Sequence, residues 1–84
     1  MKDILRNPTT VKLLASQINL ACDYYIARQI SENQLKELVF HYAKKHGKKL
    51  FDGNGINPTI QNRIGKKRIE LIELMLEGLQ LTLV

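Results

Sequence analysis

The amino-acid sequence predicts an all-α fold, a three-helix bundle built from an antiparallel helical hairpin and a third helix with a broad apolar face. Apolar residues recur at helical spacing in three segments, and each segment begins with a recognisable helix-start signal. Of the 84 residues, 44% are hydrophobic and 25% are charged, a balance typical of globular rather than disordered chains. We therefore expect one helical domain over 1–84, with helices at about 8–29, 32–46 and 58–77, a loop at 47–57 and a tail at 78–84.

The first predicted helix begins at Asn7 and Pro8. Asn is a favoured N-cap residue, and Pro suits the first helical position because its missing N–H would have no partner there. Apolar side chains then recur at spacings of three and four residues. They form one stripe along the helix, which comprises Val11, Leu14, Ile18, Ala21 and Tyr25.

The second predicted helix begins at Ser31, which has the spacing of a capping box with Gln34. Gly47 is expected to end this helix, since glycine readily adopts the left-handed conformation found after helix ends. The short link between Arg28 and Ser31 makes the first two helices an antiparallel hairpin. The residues expected to face the core are Leu35, Leu38, Val39, Tyr42 and Ala43.

The third predicted helix opens with Asn57 and Pro58, after a loop in which Leu50 and Phe51 are expected to tuck onto the core. Its apolar arc is wider than one partner helix can cover, which indicates a central helix or a subunit interface. Arg68 falls inside that arc. Either the helix kinks near Gly65, or Arg68 is partly buried and needs a carboxylate or carbonyl partner.

The tail "GLQLTLV" alternates apolar and polar residues, which is the period of a strand, and Gly78 is a natural helix stop. We expect a non-helical extension that pairs with the Leu50–Phe51 segment, pairs with its copy in a homodimer, or packs irregularly. The predicted interface residues on the third helix and the tail are Ile69, Ile72, Leu76, Leu79, Leu81 and Leu83.

No residue pattern in the sequence predicts a catalytic or metal site. His41 and His46 are five residues apart, which places them on different helix faces, and no further ligands complete a zinc set. A calcium loop fails because Ile56 and Arg63 occupy ligand positions. Cys22, the single cysteine, is expected to be a small core residue. The prediction is a non-enzyme with no cofactor and no metal.

Positive charge is concentrated in one part of the chain. The net charge is +5, but residues 44–68 alone hold eight cations and one anion, and 69–84 hold three anions. Such asymmetry indicates a polyanion, an acidic protein or a membrane surface as partner. The apolar runs are short, and the N-terminus "MKDILRNP" is charged where a signal peptide is apolar, so we expect a cytoplasmic protein that does not span or enter a membrane.

The stretch "INPTIQNRIGKKRIELI" resembles the recognition helix of helix-turn-helix regulators, although "KKLFDGNG" stands where that family has a short preceding helix. The resemblance implies phosphate contacts by the cations and base contacts by Gln61 and Asn62. The lysines at 45, 48, 49, 66 and 67 would converge if the loop folds back. The predicted nucleic-acid-binding residues are Lys44, Lys45, Lys48, Lys49, Gln61, Asn62, Arg63, Lys66, Lys67 and Arg68.

A longer resemblance is carried by "RNPTTVKLL", "HGKKLF" and "NPTIQNRIGKKRIEL". These segments are similar to a family of small proteins, of about this length, in Bacillus- and Clostridium-type bacteria and their mobile elements. The resemblance implies a bacterial, cytoplasmic setting and brings no functional residues with it. The leading hypothesis is a dimeric nucleic-acid-binding regulator, and the alternative is a protein-interaction module or inhibitor that binds through helix 58–77 and the tail.

Overall fold

The computed structural model of the chain describes residues 4–53 and 55–83, with side chains described as far as Glu77. Over these residues the chain is mostly helical, as predicted, and it forms five helices and a two-stranded antiparallel sheet. In chain order the elements are α1 (Val11–Ile26), α2 (Glu32–Lys45), α3 (Gly47–Leu50), β1 (Phe51–Asp52), β2 (Gly55–Ile56), α4 (Pro58–Ile64) and α5 (Lys66–Leu83). The expected loop thus contains a one-turn helix and a small hairpin.

Helix α1 begins three residues later than the sequence indicated, because Thr10 rather than Asn7 is its N-cap. The Thr10 hydroxyl accepts a hydrogen bond from the N–H of Leu13 at 3.0 Å. Asn7 is engaged elsewhere, since its Oδ1 lies 3.1 Å from Nε2 of His46. The Asn7 side chain, which the local sequence predicted to cap the helix, therefore makes a tertiary contact with His46 instead.

Helix α2 begins as predicted. The Ser31 hydroxyl accepts from the N–H of Gln34, and the Gln34 side chain accepts from the N–H of Ser31, so both halves of the capping box are present. The end of the helix falls within a residue of the predicted one, but Gly47 does not adopt the left-handed conformation expected of it. The helix ends at Lys45 with His46 as its C-cap, and Gly47 starts α3. This extra turn of helix brings Leu50 into the core.

The hairpin of β1 and β2 pairs Phe51 with Ile56 and Asp52 with Gly55. Leu50 is fully buried and Phe51 is half-buried, which confirms that this segment tucks onto the core. The N–H of Asn57 donates to the carbonyl of Leu50 at 2.8 Å. The start of α4 is thereby tied to α3 across the hairpin.

The predicted third helix is two helices in the structure, α4 and α5, divided at Gly65. Gly65 adopts φ 85°, a conformation that glycine tolerates and other residues rarely adopt. The expected stop at Gly78 is also wrong, because α5 continues to Leu83. The strand-like extension is therefore absent over the described backbone. A glycine inside a helix costs only about 1 kcal/mol, and a short alternating segment does not dictate a strand by itself.

The core lies between two helix pairs, since α4 packs chiefly on α1 and α5 packs chiefly on α2. The apolar residues of the third predicted helix are therefore divided unevenly, since Ile60 and Ile64 lie on α4 against α1, whereas most of the others lie on α5, which packs chiefly on α2. The most deeply buried core residues are Leu14, Ala15, Ile18, Cys22, Leu35, Leu38, Tyr42, Leu50, Ile60 and Ile72.

An N-terminal strap, residues 4–8, crosses the C-terminal half of α2. The Tyr42 hydroxyl donates to the carbonyl of Leu5 at 2.5 Å, and His41 Nε2 lies 2.7 Å from the carbonyl oxygen of Arg6. Burial raises the pKa of Tyr42 to about 12, and the nearby Arg6 partly offsets that rise. These contacts place the start of α1 beside the end of α2, so the two helices run antiparallel.

Candidate nucleic-acid interface

Four of the predicted cations form what we term the α2–α3 basic group, which comprises Lys44, Lys45, Lys48 and Lys49. The first two occupy the last turn of α2, where positive charge complements the negative end of the helix dipole. The other two lie on α3, which follows α2 after His46 alone. Three of the four are exposed and Lys49 is half-buried. Chain connectivity is enough to bring these four together.

Three more cations form the α4–α5 basic group, which comprises Arg63, Lys66 and Lys67. They stand on either side of the break at Gly65, with Arg63 in the last turn of α4 and the lysines opening α5. All three side chains are exposed. The lysines sit at the positive end of the α5 dipole, and no acidic residue lies in that first turn. The positive end of the helix dipole therefore adds to the positive charge of the two lysines.

The two basic groups lie toward opposite ends of the helical hairpin. The strap contacts put the α2–α3 basic group beside the start of α1. In contrast, the ion pair of Arg68 with Asp23 puts the start of α5 near the end of α1. At 1.5 Å per residue these positions are separated by on the order of 15 Å along the hairpin. These contacts favour two separated groups over the single point of convergence considered from the sequence.

Among residues 4–53 and 55–77 the cations of both groups have no carboxylate partner in an ion pair. Within the described part of the chain the ion pairs are Arg6 with Glu37 and Arg68 with Asp23. Neither pair involves a member of the two basic groups. None of these seven cations is therefore held in an ion pair among the described residues, and all seven can contact an external anion.

Arg68 differs from the other predicted phosphate contacts because its guanidinium is already engaged. Its Nε and Nη2 donate to Oδ1 of Asp23 at 3.1 and 2.5 Å, and its Nη1 donates to the carbonyl of Ile64 at 3.4 Å. The side chain is 36% exposed. Both alternatives raised from the sequence are realised together, since the helix breaks at Gly65 and Arg68 has found a carboxylate and a carbonyl.

The two residues expected to contact bases differ in their availability. Gln61 Nε2 donates to the carbonyl of Ile56 at 2.7 Å and so ties α4 to β2. Asn62 is exposed and makes no side-chain hydrogen bond among the described residues. Both line a groove of about 420 Å³, together with Lys66, Ile69, Glu70 and Glu73. The two carboxylates in that groove disfavour phosphate there, so any nucleic acid would approach from the lysine side.

The predicted interface residues on α5 are largely used within the chain. Ile69, Ile72 and Leu76 are 7%, 1% and 7% exposed and belong to the core. This burial makes them unavailable to a second molecule in this arrangement. The side chains of Leu79, Leu81 and Leu83 lie outside the described residues.

An exposed leucine on α5 was missed by the sequence reasoning. Leu74 is 63% exposed. It lies between Glu70, Glu73 and Glu77 on the outer face of α5, and these three glutamates are exposed as well. A leucine surrounded by glutamates at helical spacing was the signal that could have identified it.

The single cysteine is part of the core. Cys22 is fully buried, and burial raises the pKa of its thiol to about 11, an effect that Arg68 partly offsets. A thiol that stays protonated at neutral pH is a poor nucleophile. Within residues 4–53 and 55–83 the structure has no group of three His, Cys, Asp or Glu side chains that could hold a metal ion. None of the described helices has the length and apolar character needed to cross a membrane.

Comparisons with known proteins identify a family but no relative of assigned activity. Neither the curated proteins nor the solved structures gave a match to this chain. The model of one protein family, described as a conserved hypothetical protein, matches residues 5–77. That span runs from the N-terminal strap through the described side chains of α5, and it includes both basic groups. The chain therefore belongs to this family of conserved hypothetical proteins.

Proposed function

We propose that the protein is a small nucleic-acid-binding regulator that holds the phosphate backbone with its two basic groups. The observation that carries this proposal is the set of seven cations that form no ion pair within the described part of the chain. Unpaired surface cations neutralise phosphates and release condensed counterions, which supplies sequence-independent affinity. The role assigned here is binding rather than catalysis, in a bacterial cytoplasm.

The separation of the basic groups favours a polymer over a small anion. A phosphate or a nucleotide would reach one group only. Duplex DNA carries about one negative charge per 1.7 Å of its axis, so a single duplex can engage groups that lie on the order of 15 Å apart along the hairpin. Asn62 is the better candidate for a base contact, because its amide is free whereas that of Gln61 already bonds to Ile56.

The salt dependence of binding tests the proposal. If all seven cations neutralise phosphates of duplex DNA, the plot of log K against log salt concentration will have a slope of about −6, and single strands will give about −5. Fluorescence anisotropy with labelled duplex DNA, single-stranded DNA and RNA will measure it. A slope near zero for all three would reject a phosphate-based function.

Charge-reversal variants separate a specific surface from net charge. The double variant Lys66→Glu with Lys67→Glu will reduce affinity strongly and reduce the salt slope. The matched control, Lys12→Glu with Lys36→Glu, changes the net charge equally at lysines outside both groups. Equal losses in the two variants would show that only net charge matters, which would contradict the assignment of these residues.

A second candidate function is a protein-interaction module that self-associates through α5. The exposed Leu74 on the outer face of α5 favours it, because a large apolar side chain among charges is suited to contact with another protein. Sedimentation velocity of the native chain and of Leu74→Lys tests this candidate. A native homodimer that becomes monomeric in the variant would support it, whereas a native monomer at high concentration would reject it.

A further inference from the structure

Arg68 links three helices through one side chain. From the first turn of α5 it bonds to Asp23 on α1 and to the carbonyl of Ile64, the last residue of α4. Among the described side chains of α5, it alone hydrogen-bonds to another helix. The described side chains of α5 that reach the core are otherwise apolar, and apolar packing is less directional than hydrogen bonding.

The connection that Arg68 spans is a single residue. Gly65 separates α4 from α5 at φ 85°, and a Cβ built there would meet nothing within 4 Å. A side chain at this position would therefore project into open space among the described residues. The N–H of Ile69 donates to the carbonyl of Gly65 at 3.0 Å, which begins the hydrogen-bond ladder of α5. The angle between α4 and α5 thus depends on contacts outside the junction, and among the described side chains the Asp23–Arg68 pair is a polar contact of this kind.

We infer that Arg68 is a positioning residue, paired with Asp23, which holds Lys66 and Lys67 in a fixed place relative to Arg63. This inference rests on the proposed function. Arg68 then contributes to nucleic-acid binding through the orientation of α5 and makes no contact with phosphate itself. The alternative is that Arg68 leaves Asp23 and neutralises a phosphate, as the sequence suggested.

The variant Asp23→Asn distinguishes the two roles by the sign of its effect. It removes one negative charge, so electrostatics alone would strengthen binding, and an Arg68 released from its carboxylate would be freer to contact phosphate. If Arg68 is a positioning residue, the Asp23→Asn variant will instead bind more weakly. Affinity for duplex DNA will fall by about fivefold, equivalent to about 1 kcal/mol, the upper range for a partly exposed ion pair. The salt slope will stay unchanged.

Glu37→Gln provides the matched control. It makes the same change in charge and breaks the other ion pair, in which Arg6 Nη2 lies 3.1 Å from Glu37 Oε1, away from the α4–α5 junction. Affinity in this control will be unchanged or slightly higher. A loss equal to that of Asp23→Asn would overturn the inference, because both pairs would then act through general stability.

The variant Arg68→Gln gives a second readout. If Arg68 only positions α5, the variant will weaken binding while the salt slope is retained. A slope reduced by about 0.9 would mean that a phosphate contact has been lost, which would overturn the inference. Hydrogen exchange at the Ile69 N–H supplies a readout without nucleic acid. Asp23→Asn will speed exchange there if the pair holds the junction, and unchanged exchange would count against it.

The outcomes separate this inference from the proposed function. Native protein that binds with a steep salt slope, combined with an Asp23→Asn variant that binds equally or more tightly, would reject the inference alone. Native protein that shows no salt-dependent binding would reject both. A weakened Asp23→Asn variant with the native salt slope, faster exchange at the Ile69 N–H and an unaffected Glu37→Gln control would support both.

Discussion

The substitution Ile60→Ala tests whether α4 is seated on α1 as the structure describes. Ile60 is 0% exposed, so the substitution removes three fully buried carbon groups. At about 0.8 kcal/mol for each group, the lost transfer free energy is about 2.4 kcal/mol. The cavity left behind adds to this, so we expect the free energy of unfolding to fall by about 2–4 kcal/mol.

This loss is large for a chain of 84 residues. At about 0.05–0.15 kcal/mol per residue, the total stability is roughly 4–13 kcal/mol. Each kcal/mol shifts the melting temperature by about 4–8 °C in a domain of this size. The melting temperature of the variant should therefore fall by at least about 8 °C. If α4 is packed less firmly on α1, the positions of the three cations of the α4–α5 basic group should also become less fixed.

Urea denaturation followed by circular dichroism measures the effect, with Leu74→Ala as the matched control. Leu74 is 63% exposed on a helix, so its truncation should change the free energy of unfolding by less than about 0.5 kcal/mol. If Ile60→Ala were no more destabilising than Leu74→Ala, α4 would not be packed as described, and the geometry of both the groove and the junction would be refuted.

Three further predictions concern local structure and pH. Gly65→Ala will lower the free energy of unfolding by about 1–2 kcal/mol, because alanine is strained at φ 85°; Gly55→Ala, in equally open space without a positive φ, will change it less, as thermal melts will show. Ser31→Ala will cost about 1 kcal/mol through loss of the capping box, measured by urea midpoint against Ser16→Ala in mid-helix; equal effects would contradict it. Burial raises the pKa of Cys22 from 9.0 to about 11, so between these values the unfolded chain has released a proton that the folded chain keeps, and stability will fall by about 2 kcal/mol from pH 9 to pH 11. Urea midpoints of the Cys22→Ala variant should fall less over that range, and an identical decline would refute the assignment.

Several features of the fold were predictable because they depend on residues close together in the chain. The capping box joins Ser31 to Gln34, and the Asn57 side chain accepts from the N–H of Thr59 at 2.9 Å. Helix α2 could be located to within a residue from its cap and its apolar spacing. These interactions span two or three residues, so no knowledge of the rest of the fold is required to find them.

The predictions that were wrong share a physical cause. Asn7 has a good capping side chain, but its amide oxygen lies against His46, 39 residues away. Gly78 has the flexibility of a helix-ending residue, yet it lies inside α5, and Gly47 opens α3 without the left-handed conformation expected of it. The local sequence indicates which conformations and hydrogen bonds a residue can adopt at low free-energy cost, and tertiary packing decides which of them the residue adopts.

Some features of the candidate nucleic-acid interface could likewise be predicted from the sequence, and others depend on the tertiary structure. The identity of its cations could be read from the sequence, since charge is a property of the residue. Their separation into two groups depends on the direction in which α4 and α5 leave the hairpin. That direction is set by the packing of α4 on α1 and by the Asp23–Arg68 pair, whose members are 45 residues apart. No local pattern specifies such a contact.

The sequence by itself determined the helical class of the fold, the start of α2 and the concentration of positive charge between residues 44 and 68. Only the tertiary structure decided that the last predicted helix is two helices, that Ile69 and Ile72 are buried within the chain, and that Arg68 faces a carboxylate. The physical reason is distance along the chain. Periodicity, capping and charge act over a few residues, whereas the partner of a buried apolar face or of a half-buried cation is set by packing among distant segments.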